Sequence, residues 1–110
     1  MKQLKGHQRK YLRGLAHSLK PVVLIGQGGL QDPVIKAIDE ALAIHELIKI
    51  KFNEHKEKES KKDMAVTIEN STNSQMVGIV GHTIIFFRQN IDPEKQKINF
   101  PKRSKNITDG

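Results

Sequence analysis

The chain has 110 residues, 36% of them hydrophobic, which is enough apolar sequence for one small domain with one core. It contains no cysteine, so disulfides, thiol catalysis and thiolate metal sites are excluded. The formal charge is +7, and residues 1–31 carry no acid but six basic side chains: Lys2, Lys5, Arg9, Lys10, Arg13 and Lys20. A basic region of this kind predicts a surface for an anionic partner; the alternative is a solvated surface without a partner.

The first predicted element is an amphipathic helix from about residue 2 to residue 19. Apolar residues recur there at helical spacing, whereas Arg13, His17 and Lys20 follow at steps of three or four and share another face. Pro21 blocks continuation of this helix. The sequence therefore predicts a helix with one apolar and one basic side.

A strand, a glycine loop and a second helix follow. The apolar run 22–25, bounded by proline and glycine, favours a buried strand. Asp32 and Pro33 form a helix-start pair, with Asp32 as the N-cap and Pro33 at the first helical position. The second helix is predicted to end near His45, with the imidazole facing the core.

The next stretch alternates as a strand does. Ile48, Ile50 and Phe52 are predicted to point to one side of the sheet, and Lys49 and Lys51 to the other. A strand, helix and strand in this order normally form a parallel pair with a right-handed crossover. This unit therefore predicts an α/β fold.

The rest of the chain completes one domain. Residues 53–63 are charged and predict a solvated loop, residues 64–72 favour a helix, and Gly81-His82 predicts a tight hairpin turn between strands 75–80 and 83–88. The predicted fold is a single compact domain with a mixed four-stranded sheet and about three helices. It covers residues 1–90, and residues 91–110 are predicted to be a basic, mobile tail.

The glycine loop does not match the nucleotide-binding patterns. Gly26 and Gly28 fit the start of G-x-G-x-x-G, but Gln31 stands at the sixth position, and no Gly-Lys-Ser or Gly-Lys-Thr follows. Residues 26–29 instead read as a GxxG loop, which in KH modules lies against single-stranded RNA. Glycines let phosphates come close to backbone N–H groups. The alternative is a tight strand-to-helix turn without a ligand.

Other chemistry is not supported by the residue pattern. The stretch "HELIK" starts like a zinc motif but has Lys49 in place of the second histidine. Ser18 and His17 are neighbours in a helix and point in different directions, so they do not form a nucleophile and base. We therefore predict no enzyme, no metal, no cofactor and no small-molecule substrate. The absence of a signal-peptide pattern and of a bilayer-length apolar run predicts a cytoplasmic protein without membrane contact.

Three stretches, "LRGLAHSLKPVVLIGQGGL", "ALAIHELIKIKF" and "IVGHTIIFFR", together resemble the YhbY-like proteins of the CRM family (chloroplast RNA splicing and ribosome maturation). The resemblance implies a fold similar to the C-terminal domain of bacterial translation initiation factor three. It also implies RNA binding through the glycine loop and association with precursors of the large (50S) ribosomal subunit. Two positions depart from the family: Gln31 replaces a common Thr, and Phe87 replaces a Tyr.

The sequence-based hypothesis is a monomeric, non-catalytic protein that binds ribosomal RNA or pre-50S particles. The alternative is a protein-binding adaptor on the ribosome that uses the same basic face. The predicted RNA-binding residues are Gly26, Gln27, Gly28, Gly29, Leu30, Arg13, His17, Lys20, Lys49, Lys51 and Arg88.

Overall fold

The computed structural model describes residues 3–26, 28–52 and 58–101. The order of elements is α1 (Gly6–Ala16), β1 (Val23–Ile25), α2 (Asp32–His45), β2 (Leu47–Phe52), α3 (Lys58–Thr72), β3 (Gln75–Val80) and β4 (Thr83–Phe87), followed by a short 3-10 helix (Pro93–Lys95). The prediction of a single α/β domain with three helices and a four-stranded sheet is confirmed.

The sheet has the strand order β1-β2-β4-β3. Strands β1 and β2 are parallel, as the strand–helix–strand order predicts, and the other two pairs are antiparallel. The hairpin predicted at Gly81 joins β3 to β4, and Gly81 has a φ of 58°, which favours glycine. The sheet is therefore mixed, with β1 and β3 at its edges.

Helices α2 and α3 cover one face of the sheet. The alternation of β2 explains this, since every second side chain from Ile48 to Phe52 points to the same side. The buried residues of this first core are Ile25, Ile38, Leu42, Ile48, Ile50, Phe52, Ala65, Ile68, Ile84 and Phe86. This core holds β1, α2, β2, α3 and β4 together.

A second core lies on the opposite face, beneath α1. Strand β4 is apolar on both sides, so Ile85 and Phe87 point away from Ile84 and Phe86 and need a cover of their own. The buried residues of this second core are Leu4, Leu12, Ala16, Leu47, Val77, Ile85 and Phe87. The expectation of one core is therefore wrong: the apolar residues divide between the two faces of one sheet.

The segment after residue 90 differs from the predicted mobile tail over the part that the structure describes. Ile98 and Phe100 pack against the second core. The Phe100 ring lies 5.6 Å from Phe87 edge-on and 6.0 Å from Tyr11, measured between ring centroids. These apolar residues are two positions apart in an extended segment, so both can face the sheet. Residues 102–110 lie outside the described residues.

The bounds of all three helices differ from the prediction, and α3 begins at Lys58, within the run predicted to be a solvated loop. Helix α1 is shorter at both ends than residues 2–19, and the N-cap of α2 is Gln31, so Asp32 lies in the first turn instead. His45 is exposed and does not face the core. The chain leaves α2 through Glu46, whose φ of 64° ends the helix and turns the next side chains inward.

Candidate nucleic-acid interface

The glycine loop leaves β1 at the end of the sheet and turns into α2. The turn is closed by hydrogen bonds from the Gly29 N–H to the Gly26 carbonyl and from the Gln31 N–H to the Gly29 carbonyl, each 3.1 Å long. Gly29 has a φ of 72°, a conformation that disfavours any side chain. The turn itself thus accounts for the glycine at position 29. Gln27 lies outside the described residues.

Gly28 has a different status from Gly29. It is exposed, and a Cβ atom there would meet only the flexible amide of Gln31, at 3.1 Å. The backbone of the turn therefore does not require a glycine at this position. The absence of a side chain instead leaves the outer surface of the loop open, which is the property that a close approach of a phosphate or sugar needs.

The first turn of α2 lies directly behind the loop. The N–H groups of Val34 and Ile35 both donate to the Gln31 carbonyl, and Asp32 stands exposed in that turn. A helix N-terminus carries partial positive charge and attracts anions, and the Asp32 carboxylate weakens that attraction. Leu30, predicted to touch RNA, is half-buried and packs against the first core.

The hairpin turn between β3 and β4 lies at the same end of the sheet as the loop. Ile25, the residue before the loop, aligns with Phe52, whose N–H donates to the His82 carbonyl at 2.9 Å. The ammonium of Lys61 is buried and donates to the Gly81 carbonyl at 2.7 Å. Lys61 thus holds the hairpin turn to α3. The sequence does not predict this role, because Lys61 lies in the charged run 53–63, which is typical of a solvated loop.

The predicted basic residues divide into those that are exposed and those whose side chains have hydrogen-bond partners in the structure. Arg13, His17 and Lys20 are exposed. Lys51 is also exposed, whereas Lys49 is half-buried and its Nζ donates to the carbonyls of Leu19 at 3.0 Å and His17 at 3.4 Å. Lys49 therefore stabilises the turn that follows α1, and its ammonium group is engaged by these two carbonyls.

Arg88 lies at the other end of the sheet from the glycine loop, next to the pair Leu47 and Phe87. Its Nη1 donates to the Asp39 carboxylate at 2.6 Å and to the Thr72 carbonyl at 2.7 Å, and its Nη2 donates to the Asp39 carbonyl at 3.0 Å. The structure therefore brings the loop and Lys51 to one end and sets Arg88 apart, where it ties β4 to α2 and α3.

Metal-binding clusters and membrane-spanning helices are both absent from the described residues. Within residues 3–26, 28–52 and 58–101 there is no cluster of three or more His, Asp or Glu side chains that could hold a metal ion. Among the helices that the structure describes, none has the length and apolarity needed to cross a bilayer.

Known proteins are similar to this chain over most of its length. The probable RNA-binding protein YqeI of Bacillus subtilis is 38% identical over 98 residues, which cover 89% of this chain and 99% of YqeI. An RNA-binding protein of Haemophilus influenzae is 36% identical over 103 residues, 94% of this chain and all of the relative. A solution structure of SAV1595 from Staphylococcus aureus, a protein proposed to bind RNA, superposes with a TM-score of 0.74 at 34% identity, over 88% of this chain and 100% of SAV1595.

The profile of the CRS1 / YhbY (CRM) domain matches residues 4–88, which run from Leu4 of the second core to Arg88, directly after β4. The match includes the glycine loop, both helices that follow it and all four strands. This chain belongs to the CRS1 / YhbY (CRM) domain family.

Proposed function

We propose that this protein binds RNA without catalysis, with the glycine loop and the basic residues near it as the contact surface. The observation that supports this most directly is Gly28, which is exposed and is not required by its own turn. Arg13, Lys20 and Lys51 supply exposed positive charge on the same domain. The relatives named RNA-binding proteins agree with an RNA partner.

We further propose ribosomal RNA in precursors of the large ribosomal subunit as the target. This step rests on the resemblance of the loop and strand motifs to the YhbY-like proteins. The competing proposal is an adaptor that uses the same basic face to bind an acidic protein surface. The two differ in one respect that can be measured, because only the first needs intact RNA.

A charge change at Gly28 tests the loop. We expect Gly28→Asp to weaken binding of a fluorescently labelled single-stranded RNA of about 12 nucleotides by about tenfold, because a carboxylate would meet the phosphate backbone. Gly28→Asn has nearly the same shape without the charge and should stay within about threefold of the wild type. The measurement is fluorescence anisotropy, with circular dichroism to check folding.

Removal of the carboxylate at the start of α2 should act in the opposite direction. Asp32→Asn is expected to tighten RNA binding by a few-fold, since Asp32 opposes the positive end of the helix beside the loop. Glu40→Gln makes the same change in net charge on an exposed site further along α2 and is the control. If folded Gly28→Asp and Asp32→Asn both bind RNA as the wild type does, the loop is not the contact surface.

The target is tested in cell extract. The tagged protein should sediment with large-subunit precursors, ribonuclease should release it, and crosslinking followed by sequencing should recover ribosomal RNA. If the protein stays with its partners after ribonuclease treatment, the adaptor proposal is correct instead.

A further inference from the structure

A row of four side chains crosses the whole sheet on the face that carries α1. The backbone register aligns Leu24 with Lys51, Lys51 with Thr83, and Thr83 with Val80. Their strand neighbours, such as Ile25 and Ile84, belong to the first core, so the four side chains point to the opposite face. The row therefore contains one residue from each strand, and only the hairpin pair Val80 and Thr83 is close in the sequence.

The row is open to solvent although it lies on the face beneath α1. Leu24 is 55% exposed and Val80 is 63% exposed, Lys51 is exposed and Thr83 is half-buried. Helix α1 packs at the other end of the strands, over the part of the sheet that includes Leu47 and Phe87. An exposed Leu and an exposed Val in one sheet row, with a lysine between them, form a continuous surface of mixed apolar and basic character.

Helix α1 borders this row on one side. A Cβ atom on Gly78 would lie 3.0 Å from the Arg13 Cδ, so the Arg13 side chain extends over β3 at Gly78. Gly78 aligns with Ile85, two residues along β4 from Thr83. Arg13 is an exposed residue, so it brings positive charge to the surface beside the row. The glycine at position 78 thus leaves room for the Arg13 side chain.

The glycine loop and the hairpin turn border the row on the other side. Gly26 comes two residues after Leu24, and Gly81 directly follows Val80. The row is consequently flanked by Arg13 on one side and by the glycine loop and the hairpin turn on the other, and we call this surface the trough. Among the described residues, the row and its Arg13 side contain no carboxylate, and on the loop side Asp32 lies in the first turn of α2.

We propose that a single-stranded segment of RNA lies in this trough, across the four strands, with its phosphates on Lys51 and Arg13 and its sugars and base faces against Leu24 and Val80. This inference rests on the proposed function and extends the contact surface from the loop to the sheet. The negative charge of RNA complements the positive charge of the trough. Two exposed apolar side chains present far less surface than the ~800 Å² that each partner buries in a stable protein interface.

The dimensions and chemistry of the row set the expected size and selectivity of the site. Four strands about 4.8 Å apart give a row about 14 Å long, which matches about four nucleotides at a stacked rise of about 3.4 Å. The row has no aromatic side chain for base stacking. Contacts through phosphates and aliphatic groups distinguish bases poorly, so oligo(A) and oligo(U) should bind with similar affinity.

A pair of valines with matched exposure tests the inference. Val80→Asp places a carboxylate in the row and should weaken binding of a labelled oligo(U) of about eight nucleotides by about tenfold. Val66→Asp makes the same substitution on α3, at a site 54% exposed, compared with 63% for Val80, and should stay within about twofold. Lys51→Ala provides a second test in the row that leaves the apolar residues unchanged, with a loss of about fivefold or more.

The outcomes separate this inference from the proposed function. A loss with Val80→Asp and Lys51→Ala, but not with Val66→Asp, supports the trough. If Gly28→Asp weakens binding while the folded Val80→Asp and Lys51→Ala proteins bind as the wild type does, RNA binds at the loop alone and the inference is wrong. If none of these variants weakens binding, the proposed function itself fails. If an acidic protein occupies the trough, Val80→Asp will abolish capture of that protein and leave RNA binding intact, which also overturns the inference.

Discussion

Glu46 has two roles, one for its backbone and one for its side chain. Its backbone, with a φ of 64°, ends α2, and its side chain is buried with an exposure of 1%. The carboxylate accepts hydrogen bonds from the N–H groups of Asn90 at 2.5 Å, Lys97 at 2.7 Å and Ile98 at 2.9 Å. One acidic side chain thus holds the segment that carries Ile98 onto the second core.

We expect Glu46→Gln to lower the free energy of unfolding by about 1–3 kcal/mol, because the amide keeps only one acceptor oxygen and its NH₂ would face an N–H group that the carboxylate now satisfies. Urea unfolding followed by circular dichroism measures this. Glu40→Gln, on the exposed side of α2, should change the stability by less than about 0.5 kcal/mol. Equal stability of Glu46→Gln and the wild type would show that these bonds contribute little.

At the scale of elements, Arg88 joins the end of β4 to α2 and α3 through Asp39 and Thr72. We expect Arg88→Ala to lower the free energy of unfolding by about 1–3 kcal/mol, because the carbonyls of Thr72 and Asp39 lose a charged donor. The ion pair with the Asp39 carboxylate adds little to the stability, because Asp39 is 54% exposed. RNA affinity of the folded protein should stay within about twofold, because Arg88 lies at the end of the sheet away from the loop.

Lys95→Ala, in the exposed 3-10 helix, is the control for this variant and should change neither quantity. Urea unfolding and anisotropy titration at the same ionic strength give the two quantities. A tenfold loss of RNA affinity with unchanged stability would instead return Arg88 to the RNA-binding surface that the sequence predicts.

At the scale of the whole molecule, the net charge of +7 and the position of Lys51 and Arg13 predict binding that depends steeply on salt. With about three phosphates neutralised, by Arg13, Lys20 and Lys51, the slope of log K against log salt is about −2, so affinity should fall about 20-fold between about 50 and about 200 mM salt. Lys51→Ala should make the slope shallower by about 0.7, and Lys95→Ala should leave it unchanged. A flat dependence would contradict a phosphate-contacting surface.

The sequence by itself determined the features that depend on local periodicity and local backbone chemistry. The alternation from Ile48 to Phe52, the β1–α2–β2 order and the turn at Gly81 were all readable, because each depends on residues only a few positions apart. The glycine loop was recognisable for the same reason, and the family follows from those motifs in order.

Only the tertiary structure decided which of these residues are free to meet a partner. It separated Gly29, which the turn requires, from Gly28, which it does not, and it showed Arg88 and Lys49 engaged by other elements. The buried role of Glu46 and the row from Leu24 to Val80 depend on strand register and on contacts between residues more than twenty positions apart. Such contacts leave no local periodicity in the sequence, because the partner that satisfies a charge or covers a side chain is set by the packing of the whole chain.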